Sequence, residues 1–214
     1  PDGIIVIEVQ YLLNTLRDLT FDNIYHEHTN YWSLQTLNKF LGNLGLIIFK
    51  AEKIQTHGGS IRIYASQKND ILVENSVINL LKQEENFGLN KLSTYLEFGK
   101  KIQNLKKQVI KNLRLLKEKN NNIVGYGAPA KATTALNFFN ITKEIESIVE
   151  DNKLKHGKFL PGVNIPIISK KDLKIKDPMI LVLAWNFFEE IQKNNYDISN
   201  KFISIKTLEK NNII

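Results

Sequence analysis

The side chains best equipped for chemistry cluster at Tyr25-His26-Glu27-His28. An imidazole near its ordinary pKa can give or take a proton at neutral pH. A carboxylate beside it fixes the tautomer and steadies the imidazolium, and a tyrosine hydroxyl can donate to a developing oxyanion or enolate. Two other readings fit the same residues. They could be a polar surface or core-capping group, or His26 and His28 could share a face of an extended segment and bind a metal with Glu27 or His57 as third ligand. A second group follows at Thr56-His57-Gly58-Gly59-Ser60-Ile61-Arg62-Ile63-Tyr64. The paired glycines allow close backbone approach to a ligand or a turn with positive φ. Arg62 is one of three arginines in a lysine-rich chain, and Tyr64 shares its strand face, so a fork to phosphate or carboxylate is available. A hairpin turn with an exposed alternating face explains the same spacing.

The third group is Gly125-Tyr126-Gly127-Ala128-Pro129-Ala130-Lys131, between an apolar strand pattern and a helical one. That is the context of a phosphate-cradling turn, with Ala130 at the third glycine position and Lys131 as a point charge. Glu150 or Asp151 falls where a ribose-binding acid is expected. The same turn could serve only to close a strand–helix contact. Beyond it, Lys155 to Gly162 forms a polar, turn-rich loop at a strand's carboxyl end.

The elements that must position these groups fall into three regions. Residues 1–67 read as α/β: a strand at Ile4–Val9, and a helix capped by Ser33 with Leu34, Leu37, Phe40, Leu41 and Leu44 on one face. An antiparallel pair over Leu46–Ile54 and Ser60–Ser66 completes this region. The first strand needs neighbours to be buried, and none precedes it, so the chain is expected to be a fragment or to depend on a partner. Residues 68–120 read as a helical connector, with apolar residues from Leu89 to Leu116 at three- and four-residue steps. Residues 121–214 alternate strand and helix, the pattern of a Rossmann-like doubly wound parallel sheet.

Composition removes several classes. With no cysteine among 214 residues, disulfide frameworks and thiolate metal sites are excluded. No run approaches the roughly 18 apolar residues of a spanning helix. The start lacks the pattern of a signal peptide, so the cytoplasm is the default expectation. A net charge of +7 raises the question of nucleic acid. Yet nine basic and only two acidic side chains lie between Gly88 and Asn122, which accounts for the whole excess. The charge therefore reads as the solvated face of the connecting helix, with no nucleic-acid or membrane partner expected.

Taken together, Phe21 to His28 with Tyr31 and Ser33-Leu34, the His57–Tyr64 segment, the Gly125–Lys131 turn and Gly157–Gly162 resemble, in order, segments of the sugar C-methyltransferases. The resemblance implies an enzyme that uses S-adenosylmethionine to methylate a carbon of a nucleotide-linked keto-deoxysugar. It implies that this chain holds the end of a methyltransferase domain, a connector and the Rossmann-like C-terminal domain. The Gly-rich loop that binds the methyl donor would lie upstream, in cis or on a partner chain. His28 would be the general base, Glu27 its orienting group or a sugar contact, and Tyr25 the donor to the enolate oxygen. His57, Gly58, Gly59, Arg62 and Tyr64 would contact substrate, and Gly125, Tyr126, Gly127, Ala128 and Lys131 would face its nucleotide. No metal is expected in this portion. The rival is an NAD(P)-dependent oxidoreductase or other nucleotide-binding Rossmann module built on residues 121–214.

Overall fold

A computed structural model describes residues 3–67, 70–119 and 122–209, the His57 side chain excepted. The chain divides into two units: Pro1–Phe21 with His26–Lys101, and Asp22–Tyr25 with Ile102–Ile214.

In the first unit, strand β1 (Ile4–Gln10) runs into a short helix α1 (Leu12–Arg17); α2 (Leu34–Gly42), β2 (Ile47–Ile54), β3 (Ser60–Ser66) and α3 (Asn75–Phe87) follow. The sheet order is β1-β3-β2, and both pairings are antiparallel. The expected β2–β3 pair is present, and β3 lies in the middle. Period-two alternation explains why: Ile61, Ile63 and Ala65 have no solvent exposure, while Arg62 and Tyr64 point to the opposite face. The inward face packs with Tyr11, Leu34, Leu37, Leu41, Ile48, Val77 and Leu80. β1 pairs only with β3 among the described residues, and Ile4, Ile5 and Val6 remain exposed.

The α2 N-terminus carries two caps. Ser33 Oγ accepts from Thr36 N–H at 3.1 Å while Thr36 Oγ1 accepts from Ser33 N–H at 3.0 Å, a reciprocal capping box. The buried Glu84 carboxylate, from α3, accepts from Leu34 N–H at 2.5 Å and Gln35 N–H at 2.9 Å. Negative charge at a helix start, taking two otherwise orphaned amides, ties α3 to α2. Phe40 and Leu44, expected on the buried face, are exposed. The helix closes at Gly42, and Phe40 instead lies 5.7 Å from the Trp32 ring.

The helical stretch after residue 70 holds two helices, and the periodic residues from Leu89 to Leu116 fall almost wholly in the second. Gly88 takes a left-handed conformation that ends α3, and a Cβ there would meet Thr94 Oγ1 at 3.0 Å. Helix α4 (Leu92–Glu118) has 27 residues, on the order of 40 Å at 1.5 Å per residue. Its buried stripe begins at Ile102 and continues through Leu105, Val109, Leu113 and Leu116, whereas Leu92 and Leu96 are exposed.

The second unit contains β4 (Ile123–Tyr126), α5 (Ala130–Phe139), β5 (Ile148–Val149), β6 (Ile167–Ile168), β7 (Met179–Val182), α6 (Phe188–Asn194), β8 (Phe202–Ser204) and α7 (Ile205–Leu208). The five strands are parallel in the order β6-β5-β4-β7-β8. The near-continuous burial of Ile123, Val124, Ile148, Val149, Ile180, Leu181 and Val182 is what a parallel sheet covered on both faces demands. This is the Rossmann-like architecture expected from the strand–turn–helix pattern. The chain moves outward from β4 to β6, then returns beside β4 with β7, so the topological switch lies between β4 and β7. Among the described residues, no helix is long and apolar enough to cross a membrane.

Glu84→Ala leaves two amides at a buried helix start without acceptors. It is expected to cost about 2–4 kcal/mol of stability in urea denaturation, with Glu84→Gln costing less because one acceptor remains.

Candidate functional site

The β1 terminus is where the first unit gathers its candidate residues. Tyr11 N–H donates to Gly59 O at 3.1 Å, and Leu12 N–H donates to Trp32 O at 2.9 Å. The glycine turn of the second motif and the segment that follows His28 thus both bond to consecutive residues just past β1. Gly58 and Gly59 both have positive φ, at 85° and 116°. A Cβ on Gly59 would fall 2.1 Å from Asn14 Nδ2, so this position requires glycine on contact grounds as well. The His57 side chain lies outside the described residues.

At this strand end sequence reasoning missed two amides. Both side-chain atoms of Gln10 and the Asn14 oxygen are buried with no hydrogen-bond partner. Buried amide groups without partners are costly, which makes them candidates for ligand or water contacts. Their signal in the sequence was only a polar residue at the end of an apolar strand and another four positions later, in α1.

The Tyr25–His28 motif lies in a turn after a 3-10 segment, Phe21–Asn23. The unit division falls inside it: Tyr25 goes with the second unit and His26–His28 with the first. Tyr25 and His28 are half-buried, whereas His26 and Glu27 are exposed. The exposed Glu27 carboxylate lies 4.0 Å from His26 Nε2. Among the described residues, no group of three His, Cys, Asp or Glu side chains could hold a metal ion.

Arg62 and Tyr64 lie on the outer face of the three-stranded sheet, in a cross-strand network. Arg62 Nε and Nη2 donate to Glu8 Oε2 at 3.0 and 2.7 Å, and Thr56 Oγ1 donates to Glu8 Oε1 at 2.9 Å. Tyr64 OH donates to Glu52 Oε2 at 3.3 Å, beneath the Lys50 ammonium. The Glu8 carboxylate therefore already engages the Arg62 fork.

In the second unit, the glycine turn follows β4 as expected. Gly127 has φ 85°, and a Cβ there would sit 2.8 Å from Ala184 Cβ. One amide of the turn is taken: Ala128 N–H donates to Glu150 Oε2 at 2.8 Å. Asn152 N–H donates to Glu150 Oε1 at 3.0 Å, and Lys155 Nζ reaches Glu150 Oε2 at 3.2 Å and Ala128 O at 3.0 Å. Burial alone would raise the Glu150 carboxyl, but the Asn152 and Ala128 amides and the Lys155 ammonium outweigh it and hold it below the usual value.

Asp151 keeps a different partner. Tyr126 OH donates to Asp151 Oδ1 at 2.8 Å, and burial together with this carboxylate pushes the Tyr126 phenol up to about 12. Lys131 stands apart. Its Nζ is buried with no hydrogen-bond partner, and desolvation lowers its pKa despite the influence of Asp22. It lies over the Trp185 ring at 4.9 Å, Lys206 lies over the same ring at 5.0 Å, and Trp185 Nε1 donates to Asp22 Oδ2 at 2.7 Å. Trp185, Lys206 and Asp22 were not singled out in the sequence, where nothing local links them.

Comparison with known proteins matches residues 55–204 to the model of the C-methyltransferase C-terminal domain. This chain belongs to that family. The match begins just before the His57–Tyr64 segment and covers the whole parallel sheet of the second unit. The chain is also 34% identical over 197 residues to C-methyltransferase NovU of Streptomyces niveus. That alignment takes in 91% of the 214 residues, so it necessarily runs through Tyr25–His28. It takes in 47% of the relative, so the chain spans about half the length of the curated relative it matches.

The Glu150 network carries a pH signature within the family fold. Because its folded pKa is lowered, Glu150 stabilises the folded state above the unfolded carboxyl value of about 4.3, and this is lost as pH falls through the folded value. Glu150→Gln is expected to lower the melting temperature at pH 7 and to have a much smaller effect at pH 3, as read by thermal denaturation.

Proposed function

We propose that this chain is the C-terminal portion of an S-adenosylmethionine-dependent C-methyltransferase acting on a nucleotide-linked keto-deoxysugar. The observation that carries the proposal is the convergence at the end of β1. The Gly59 turn and the segment leading from His28 to Trp32 bond to adjacent residues there, beside the unpartnered Gln10 amide and Asn14 oxygen. Such amides suit a hydroxyl-bearing ligand, a description that fits both the sugar and the ribose of the methyl donor. S-adenosylmethionine supplies an electrophilic methyl group, and no residue of this chain is assigned to hold it.

The proton on a carbon next to a ketone becomes removable when the enolate oxygen is stabilised. His28 is assigned as the base that takes this proton. Tyr25 is assigned to donate to the oxygen as charge develops there, and Glu27 to orient the imidazole or to contact the sugar. The carbanion then forms the new carbon–carbon bond as the methyl leaves the sulfonium. His57, Gly58, Gly59, Arg62 and Tyr64 are assigned to substrate contact, Arg62 only after exchange of its Glu8 partner. Gly125, Tyr126, Gly127 and Ala128 are assigned to the substrate nucleotide. Lys131, a desolvated cation without a hydrogen-bonded partner, is assigned to its phosphate charge. The cytoplasm is the proposed compartment. The oxidoreductase alternative loses ground because residues 55–204 match the C-methyltransferase C-terminal domain and Glu150 occupies one amide of the glycine turn.

In the longer protein, His28→Ala should abolish both methyl transfer and solvent exchange of the substrate's α-proton, followed by mass spectrometry and NMR. Rapid exchange retained in that variant would remove His28 from the base role. Lys131→Met removes a desolvated charge that has no hydrogen-bond partner while keeping an apolar chain against Trp185, so it should change the melting temperature little while raising the KM for the nucleotide sugar. A fall in melting temperature with an unchanged KM would count against the phosphate assignment.

A further inference from the structure

The segment that leads into Tyr25–His28 is only a 3-10 turn, yet Phe21, Asp22 and Asn23 are all buried. A carboxylate taken out of water needs a compensating donor or charge. Asp22 receives its donor from far along the chain: Trp185 Nε1 donates to Asp22 Oδ2 at 2.7 Å, across 163 positions. The grouping of the chain reflects this bond. Asp22–Tyr25 go with the second unit, while Phe21 before them and His26 after them go with the first.

Trp185 is itself placed by the turn that opens the second unit. It starts a 3-10 turn (Trp185–Phe187) just after β7 and Ala184. Leu183 N–H donates to Tyr126 O at 2.9 Å, which ties the exit from β7 to the end of β4. Ala184 Cβ fills the space that a Cβ on Gly127 would need. Lys131, in the first turn of α5, sets its Nζ 4.9 Å from the Trp185 ring, and Lys206 lies 5.0 Å from the same ring. The Asp22 charge also acts on Lys131. A ring with its N–H on a carboxylate and two ammonium groups against it has little freedom to turn. The ring that carries Lys131, the group assigned to phosphate charge, is thus the ring that holds the entry to Tyr25–His28.

We infer that, within the methyl-transfer reading on which this role rests, Trp185 and Asp22 are positioning residues. Their hydrogen bond fixes the start of the loop that presents Tyr25 and His28, and neither residue touches the substrate.

The test uses the longer protein. Trp185→Phe keeps an aromatic ring for Lys131 and removes the N–H. It should lower kcat for methyl transfer about tenfold to a hundredfold, with α-proton exchange falling in parallel, as expected when reacting groups are misplaced. KM for the nucleotide sugar should change less than about threefold. Asp22→Ala should behave alike, whereas Asp22→Asn, which retains an acceptor oxygen, should recover most of kcat. The Asp22→Ala/Trp185→Phe double variant should be no slower than the slower single variant, because both remove one bond. Hydrogen–deuterium exchange over residues 21–25 should rise in Trp185→Phe and Asp22→Ala and stay near the wild-type level in Asp22→Asn. A purely structural contact would lower the melting temperature and leave kcat unchanged well below it. That result, losses that multiply in the double variant, or unchanged exchange over residues 21–25 would overturn the inference while active wild-type enzyme leaves the methyl-transfer reading standing. A wild-type protein without methyl transfer would overturn that reading and the positioning role together.

Discussion

Tyr11 has no solvent exposure, and its backbone is committed on both sides. Its amide holds Gly59, its carbonyl accepts the first α1 amide from Thr15, and its ring fills the centre of the first core. Burial, reinforced by the Glu84 carboxylate, pushes its phenol well above the usual tyrosine value. Glu84 in turn holds the start of α2. Strand end, glycine turn, helix start and α3 thus meet around one buried phenol and one buried carboxylate. The position of every loop that carries candidate chemistry in this unit follows from that arrangement. Gly59 is required there because Asn14 leaves no room for a Cβ.

The second unit makes the same kind of substitution with a different result. A glycine turn after a first strand ordinarily leaves amides for an anion from outside. Here the anion is supplied by the chain, from a residue 22 positions later. The architecture is retained while the chemistry of its opening changes, because one internal carboxylate, itself paired with Lys155, satisfies the amide. Fold likeness to dinucleotide-binding sheets therefore carries little about ligand, and the particular side chains at the switch point carry much more.

Much of the architecture was legible in the sequence. Alternation marked β2 and β3, the Ser33 cap marked α2, and continuous apolar runs bounded by turn residues marked the parallel strands. The charge excess was correctly referred to one helical stretch, whose buried stripe from Ile102 leaves its lysines outward. The apolar spacing starts the long helix at Leu89, three residues before α4 begins at Leu92, because the spacing continues across the turn that follows Gly88. Leu92 and Leu96 fit that spacing yet are exposed, since periodicity reports a face and not whether anything packs against it.

The sequence by itself determined most element types, the parallel character of the second sheet, and the family to which the motifs belong. Those properties depend on residues within a few positions of one another, where propensity, alternation and turn chemistry act. Only the tertiary structure decided which partner each charged or polar group takes: Glu84 with Leu34 and Gln35, Arg62 with Glu8, Glu150 with Ala128, Trp185 with Asp22. These pairs join residues far apart in the chain, and any of several carboxylates would satisfy the local pattern. The choice among them is made by backbone pairing and core packing, which bring one candidate within hydrogen-bonding distance and leave the others facing solvent.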